Sequence, residues 1–129
     1  MTLSFWIIRA DLLAADRAIE EYKKSGFKEI KSIAAYHLQQ AAEKLIKIQI
    51  YSQIGEPDDY QLYTHNLEKL IIYANKENLQ IDVPQYVRNR SQEITRWEAA
   101  SRYDLDFSIR IDTLEKASKE MNAWLERIK

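Results

Sequence analysis

Apolar residues return at alternating three- and four-residue steps along most of this chain, the spacing that draws a single stripe along an α-helix. From Ser4 to about Ser25 the stripe is Phe5, Ile8, Leu12, Ala15, Ile19 and Tyr22, and Gly26 is placed to end it. A second and longest helix, from about Lys28 to Ile54, carries Ile30, Ala34, Leu38, Ala41, Leu45 and Ile48 and stops at Gly55-Glu56-Pro57. The polar, acidic stretch Glu56 to Tyr63 then reads as the longest interior loop. A third helix, from about His65 to Glu77, turns Leu67, Leu70, Ile71 and Ala74 inward. Val83-Pro84 marks the start of a fourth, because proline is favoured in a first helical turn, and this helix runs to about Ser101. Tyr103 to Asp106 forms the next joint, with Asp106 able to cap a fifth helix that places Phe107, Ile111, Leu114, Met121, Trp124 and Ile128 inward. Only two Gly and two Pro occur, most of them where a periodic pattern stops, so the punctuation agrees with few, long helices and gives strands no support. Amphipathic helices joined by mostly short connections bury their stripes only against one another or a partner chain. The expected fold is all-α, one domain over residues 1–129: an antiparallel bundle of about five helices.

Composition narrows the setting. At 129 residues, 46% hydrophobic and 30% charged, the chain is long enough for one core with a well-solvated surface. A formal net charge of −1 gives no global attraction for phosphates, so any nucleic-acid role must come from a local patch. The absence of cysteine excludes disulfides, thiol nucleophiles and thiolate metal sites, and fits a cytoplasmic location. The opening Met1 to Ile8 lacks a basic start and a small-residue cleavage pattern, so no signal peptide is expected. No apolar run approaches the roughly twenty residues needed to cross a bilayer.

Candidate chemistry lies in polar residues that break the stripes, since burying one costs free energy unless it is paired. On a helical wheel Arg90 points between Val83, Val87, Ile94 and Trp97, near the middle of the fourth helix's apolar face. Either it pairs with a buried carboxylate or snorkels past Trp97 to water, or it faces an anion at a cleft or dimer seam. On the second helix His37, Gln40, Lys44 and Lys47 follow spacings of three, four and three, forming a strip beside the apolar face. That strip suits a phosphate or ribose, and equally an ordinary solvated edge. His65 stands where a third helix would be capped. Arg102 and Tyr103 close the fourth helix, where an arginine is favoured by the macrodipole alone. Tyr51, Tyr60, Tyr63 and Tyr73 can stack bases or simply pack. Two histidines about thirty residues apart, with no His-Glu-x-x-His spacing, offer no metal site. No glycine-rich phosphate loop is present, and no cofactor is expected. Glu20-Glu21 and Asp58-Asp59 read as surface charge.

The run Ala35-Tyr36-His37-Leu38-Gln39-Gln40-Ala41-Ala42-Glu43-Lys44-Leu45-Ile46-Lys47 resembles the second-helix signature of HEPN domains. In that family a Gln-Ala-x-Glu-Lys run precedes a His-Asn/Asp-Leu helix start, here His65-Asn66-Leu67. Arg102-Tyr103-Asp104 is similar to the family's Arg-Tyr-Pro-Asp ending of the next long helix, without the proline. The resemblance covers nearly the whole chain. It implies a helical bundle with an up-and-down four-helix core that commonly dimerises. It also implies a nucleotidyltransferase partner in a two-gene, toxin-antitoxin-like system of prokaryotes, and members that either cleave RNA or bind nucleotides without catalysis. HEPN ribonucleases place a histidine after an arginine with four to six residues between them, so that arginine stabilises phosphate charge while histidine handles protons. Arg90 is the plausible counterpart here, and Thr95, Arg96 and Trp97 stand where the histidine would fall.

Three readings follow. The leading one is a non-catalytic, homodimeric binding module for a nucleotide, RNA or other phosphate-bearing ligand, or the helical partner of a nucleotidyltransferase, using His37, Gln40, Lys44, Lys47, His65, Arg90, Arg102 and Tyr103. The alternative is a metal-independent endoribonuclease toxin in which folding or dimerisation brings His37 or His65 to Arg90. The third is a purely structural dimerisation unit.

Overall fold

A computed structural model describes residues 4–103 and 107–129, which leaves Asp104 and the proposed cap Asp106 outside the described residues. Four long helices account for most of the chain: α1 (Phe5–Ser25), α2 (Ile30–Gln53), α6 (Ser91–Tyr103) and α7 (Ile111–Ile128). Between α2 and α6 lie a single turn, α3 (Asp59–Leu62), the helix α4 (Leu67–Lys76) and the short α5 (Gln85–Asn89). No strand occurs among the described residues.

The helix ends have local causes. Ser4 Oγ accepts from the Ile7 amide at 3.3 Å at the start of α1, satisfying one of the amides a first turn leaves free. Gly26, at φ 70°, closes α1 in the left-handed conformation that glycine adopts without a Cβ penalty. Asn66, not His65, caps α4 through its Oδ1 and the Lys69 amide. A second free amide of that turn, from Leu67, donates to Thr95 Oγ1 at 3.0 Å, so α6 itself helps cap α4. The acidic stretch after α2, expected as the longest interior loop, instead carries α3, which Asp58 starts by accepting from the Tyr60 amide through its side chain, and the connection from α4 to α5 is the longer one.

α2 is the centre of the bundle: α1, α4, α6 and α7 all pack on it. Ala34, Ala35, Leu38, Ala41, Ala42, Leu45, Ile46 and Ile50 are fully buried there, each large aliphatic side chain contributing roughly 1.5–3 kcal/mol. Leu67, Leu70, Ile71 and Ala74 of α4 and Leu114, Met121 and Trp124 of α7 turn inward as their spacing requires. Ile30, Ile48, Phe107, Ile111 and Ile128 pack partly buried around them, and Phe107 lies before its helix rather than in it. Phe5, at the outer end of α1, is 38% exposed. The connection from α4 to α5 carries backbone groups with no helical partner, and glutamine amides supply them. Gln49 pairs with both the amide and the carbonyl of Asp82, at 2.6 and 2.9 Å, and Gln53 does the same for Gln80. The buried Trp124 donates its indole N–H to the Asp82 carbonyl at 2.7 Å.

A further sequence expectation changes. The fourth helix is not continuous: it breaks at Arg90, whose backbone (φ −117°, ψ 20°) leaves the α region and donates to the Val87 carbonyl. The wheel that put Arg90 in the apolar face assumed an unbroken helix; with the break, Ser91 is buried and Arg90 is exposed. In the packing, α6 and α7 both rest on α2 but hardly touch each other, so a seam between them stays open.

Candidate functional site

The strip on α2 forms as its spacing requires, yet its cations are already engaged. Asp11 of α1, buried against α2, accepts from Lys44 Nζ at 2.6 Å and lies 2.8 Å from His37 Nδ1. On the adjoining face of α2 Glu43, also buried, accepts from Lys47 Nζ at 2.8 Å and lies 2.8 Å from His65 Nδ1. Gln39, fully buried, donates to Glu43 and to the His65 carbonyl, and Gln40 donates to Gln39. Glu98 of α6, buried as well, pairs with Arg102 and stands 3.8 Å from His65 Nε2. Arg102 also lies over the Tyr36 and Tyr103 rings.

Three buried carboxylates, Asp11, Glu43 and Glu98, thus face three permanent cations, Lys44, Lys47 and Arg102. Burial makes each carboxylate depend on its partners, and each cation so held has little attraction left for an outside anion. The strip is a charge-compensated seam that ties α1, α4 and α6 to α2. Seven of the eight residues singled out from sequence fall along it or at its end: His37, Gln40, Lys44, Lys47, His65, Arg102 and the exposed Tyr103. The three carboxylates and Gln39 were missed. The signal that marks them is the rule applied to Arg90: an ionisable or amide side chain on or beside an apolar stripe. Asp11 precedes Leu12, and Glu98 follows Trp97.

Arg90 stands apart from this network. Twelve residues at about 1.5 Å each along a helical path separate it from Arg102, and neither histidine shares a partner with it. Its guanidinium lies 4.3 Å from the Tyr86 ring centroid. Burial pushes the Tyr86 hydroxyl above its ordinary value, and nearby Arg90 opposes that rise.

The open seam between α6 and α7 forms a groove of about 510 Å³, lined by Glu93, Arg96, Trp97 and Ala100 of α6, residues 107–110 and Thr113; Arg90 is not part of its lining. Among the described residues neither Arg90 nor Arg96 has a carboxylate within ion-pair distance. Arg110 pairs with Asp112 at 3.0 Å, both largely exposed, a contact worth about 1 kcal/mol at most. Glu93 Oε1 is buried without a hydrogen-bond partner, a condition that costs about 1–3 kcal/mol or more for an ionised acceptor. The groove therefore offers Arg96 without an ion-pair partner, Arg110 held only by an exposed one, and one carboxylate oxygen without a donor. Among the described residues no cluster of metal ligands exists, and no helix is long and apolar enough to cross a membrane.

No curated protein and no solved structure gives a significant match to the chain. The model of one family, the HEPN domain, matches residues 9–129. That match spans the all-α bundle, the α2 seam and the α6–α7 groove together: the chain belongs to the HEPN domain family.

Proposed function

We propose that this HEPN domain is a non-catalytic binding module that takes a nucleotide or similar phosphate-bearing ligand at the α6–α7 groove. The observation that carries the reading is the contrast in compensation. The strip's lysines and Arg102 are held by buried carboxylates, whereas Arg90 is exposed, three residues before Glu93 of a groove lined by Arg96 and Arg110. Guanidinium groups suit phosphate because they present several donors in a fixed plane. The histidine that the family's ribonucleases require after the arginine is replaced by Thr95, Arg96 and Trp97. His37 and His65 are committed to Asp11 and Glu43, which supports a binding role over RNA cleavage. Calorimetric titration with nucleoside triphosphates tests this: wild type binds, Arg90→Ala and Arg96→Ala bind at least about tenfold more weakly, and single-stranded RNA stays intact. Equal affinity in all three proteins, or cleaved RNA, sinks the reading.

A second reading, a dimerisation or partner-docking unit, is favoured by α1, where Trp6 is 83% exposed and Leu13, one heptad on, is 47% exposed. Apolar side chains left to water along one helix face mark an interaction surface, with a second copy or a nucleotidyltransferase as the occupant the family implies. Sedimentation of wild type and a Trp6→Glu, Leu13→Glu variant decides it: a dimer that the variant dissociates supports the reading, and a wild-type monomer contradicts self-association.

A further inference from the structure

The groove reading leaves one feature unused: Glu93. Its Oε1 is buried and lacks a donor, although the side chain lines the same groove as Arg96 and Arg110. A carboxylate accepts hydrogen bonds and donates none when ionised. If phosphate alone were the ligand, an acid in its seat would repel it. An acid flanked by guanidinium groups instead matches a ligand with two ends, one anionic and one rich in N–H donors.

Among the common bases only guanine presents adjacent ring N–H and exocyclic amino donors on its pairing edge. Adenine and cytosine each set one amino donor beside a ring acceptor, and uracil sets its N–H between two carbonyls. Each of those acceptors would face a carboxylate oxygen, which is repulsive. The terminal torsion of a glutamate is soft, so the Glu93 carboxylate can rotate to meet donors in the groove it lines. At about 510 Å³ the space is of the size of small-ligand pockets.

We propose that the α6–α7 groove is selective for a guanine nucleotide, with Glu93 accepting from the base's pairing edge and Arg96 and Arg110 facing the phosphate. The proposal rests on the nucleotide-binding reading and adds base identity to it. Arg110 is available because its present partner, Asp112, lies on the exposed surface. Trp97, almost fully buried, forms the floor and is not a stacking platform.

The test is a calorimetric titration of the full chain with GMP, IMP, AMP, CMP and UMP, and with short oligoribonucleotides carrying one guanine or one adenine. IMP differs from GMP only by the missing amino group, so it isolates the second donor without any mutation. We expect GMP to bind at least about tenfold more tightly than IMP or the other bases, as for sites built around a hydrogen bond to the ligand. Glu93→Gln is expected to lose that margin while keeping weak, base-blind binding that Arg96→Ala removes. Guanine preference strongest in the oligonucleotide places the ligand in RNA, and preference strongest in GMP places it free in solution; both support the proposal. Equal affinities across the bases in wild type, or a guanine margin unchanged in Glu93→Gln, overturn it. Base-blind binding that depends on Arg96 overturns this proposal alone, whereas no binding of any nucleotide overturns the nucleotide reading as well.

Discussion

Glu43 holds two cationic or imidazole groups at once, Lys47 from its own helix and His65 from the turn before α4, and takes a further hydrogen bond from Gln39. Replacing it by glutamine keeps the shape but removes the charge that both partners need. We expect Glu43→Gln to lower stability by about 1–3 kcal/mol, read from chemical denaturation, while the exposed Arg90→Ala stays within about 0.5 kcal/mol of wild type. A variant of Glu43 as stable as wild type would mean the seam is only solvated surface. Tyr86 supplies a pH prediction. Its folded pKa is raised by burial, so the associated stability is fully present below the ordinary tyrosine pKa and is lost as pH rises through the folded value. Tyr86→Phe should therefore remove a late-titrating component from the ultraviolet tyrosine titration and lessen the alkaline fall in stability. At this scale the basic half of the network was legible, because lysine and histidine at spacings of three and four stand out beside an apolar stripe. The acidic half lies on other helices, and which helices meet is a tertiary fact that periodicity does not contain.

α4 is the element whose ends depend most on other parts of the molecule. It spans only ten residues, too short to hold itself in water. Its first turn is satisfied by Asn66 and by Thr95 reaching across from α6. Asn66→Ala should cost about 1 kcal/mol. Thr95→Val, which leaves the Leu67 amide unpaired and also removes the hydroxyl's bond to the Ser91 carbonyl, should cost about as much or more. Hydrogen exchange at Leu67 and Lys69 reports both directly: faster exchange confined to α4 fits, and unchanged exchange contradicts the capping roles. With Arg90 taken as the counterpart of the family's arginine, Thr95 falls at one of the positions of the ribonucleases' histidine, and here its hydroxyl has a structural task. The main helices were legible because their stripes are long. The break at Arg90 was not, since no glycine or proline marks it and Val87, Ile94 and Trp97 keep a helical rhythm on either side of it.

The whole molecule is built around α2, a helix surrounded by α1, α4, α6 and α7. Its apolar arc forms the core and its polar arc becomes the compensated seam, so the most recognisable stretch of sequence is also the most enclosed. In the proposed function that enclosure leaves the seam where α6 and α7 part as the ligand's place. The groove was invisible to the sequence because it depends on two helices failing to meet. The thermal unfolding midpoint, followed against rising nucleoside triphosphate concentration in wild type, Arg90→Ala, Arg96→Ala and Lys44→Ala, tests this division most directly. Ligand bound only by the folded state raises stability by about 2.7 kcal/mol at a hundred times its dissociation constant. The account predicts a rising midpoint in wild type and a flat one in both arginine variants, with Lys44→Ala starting lower but rising as wild type does. A response that survives in the arginine variants and vanishes in Lys44→Ala would return the ligand to the α2 seam and contradict the account.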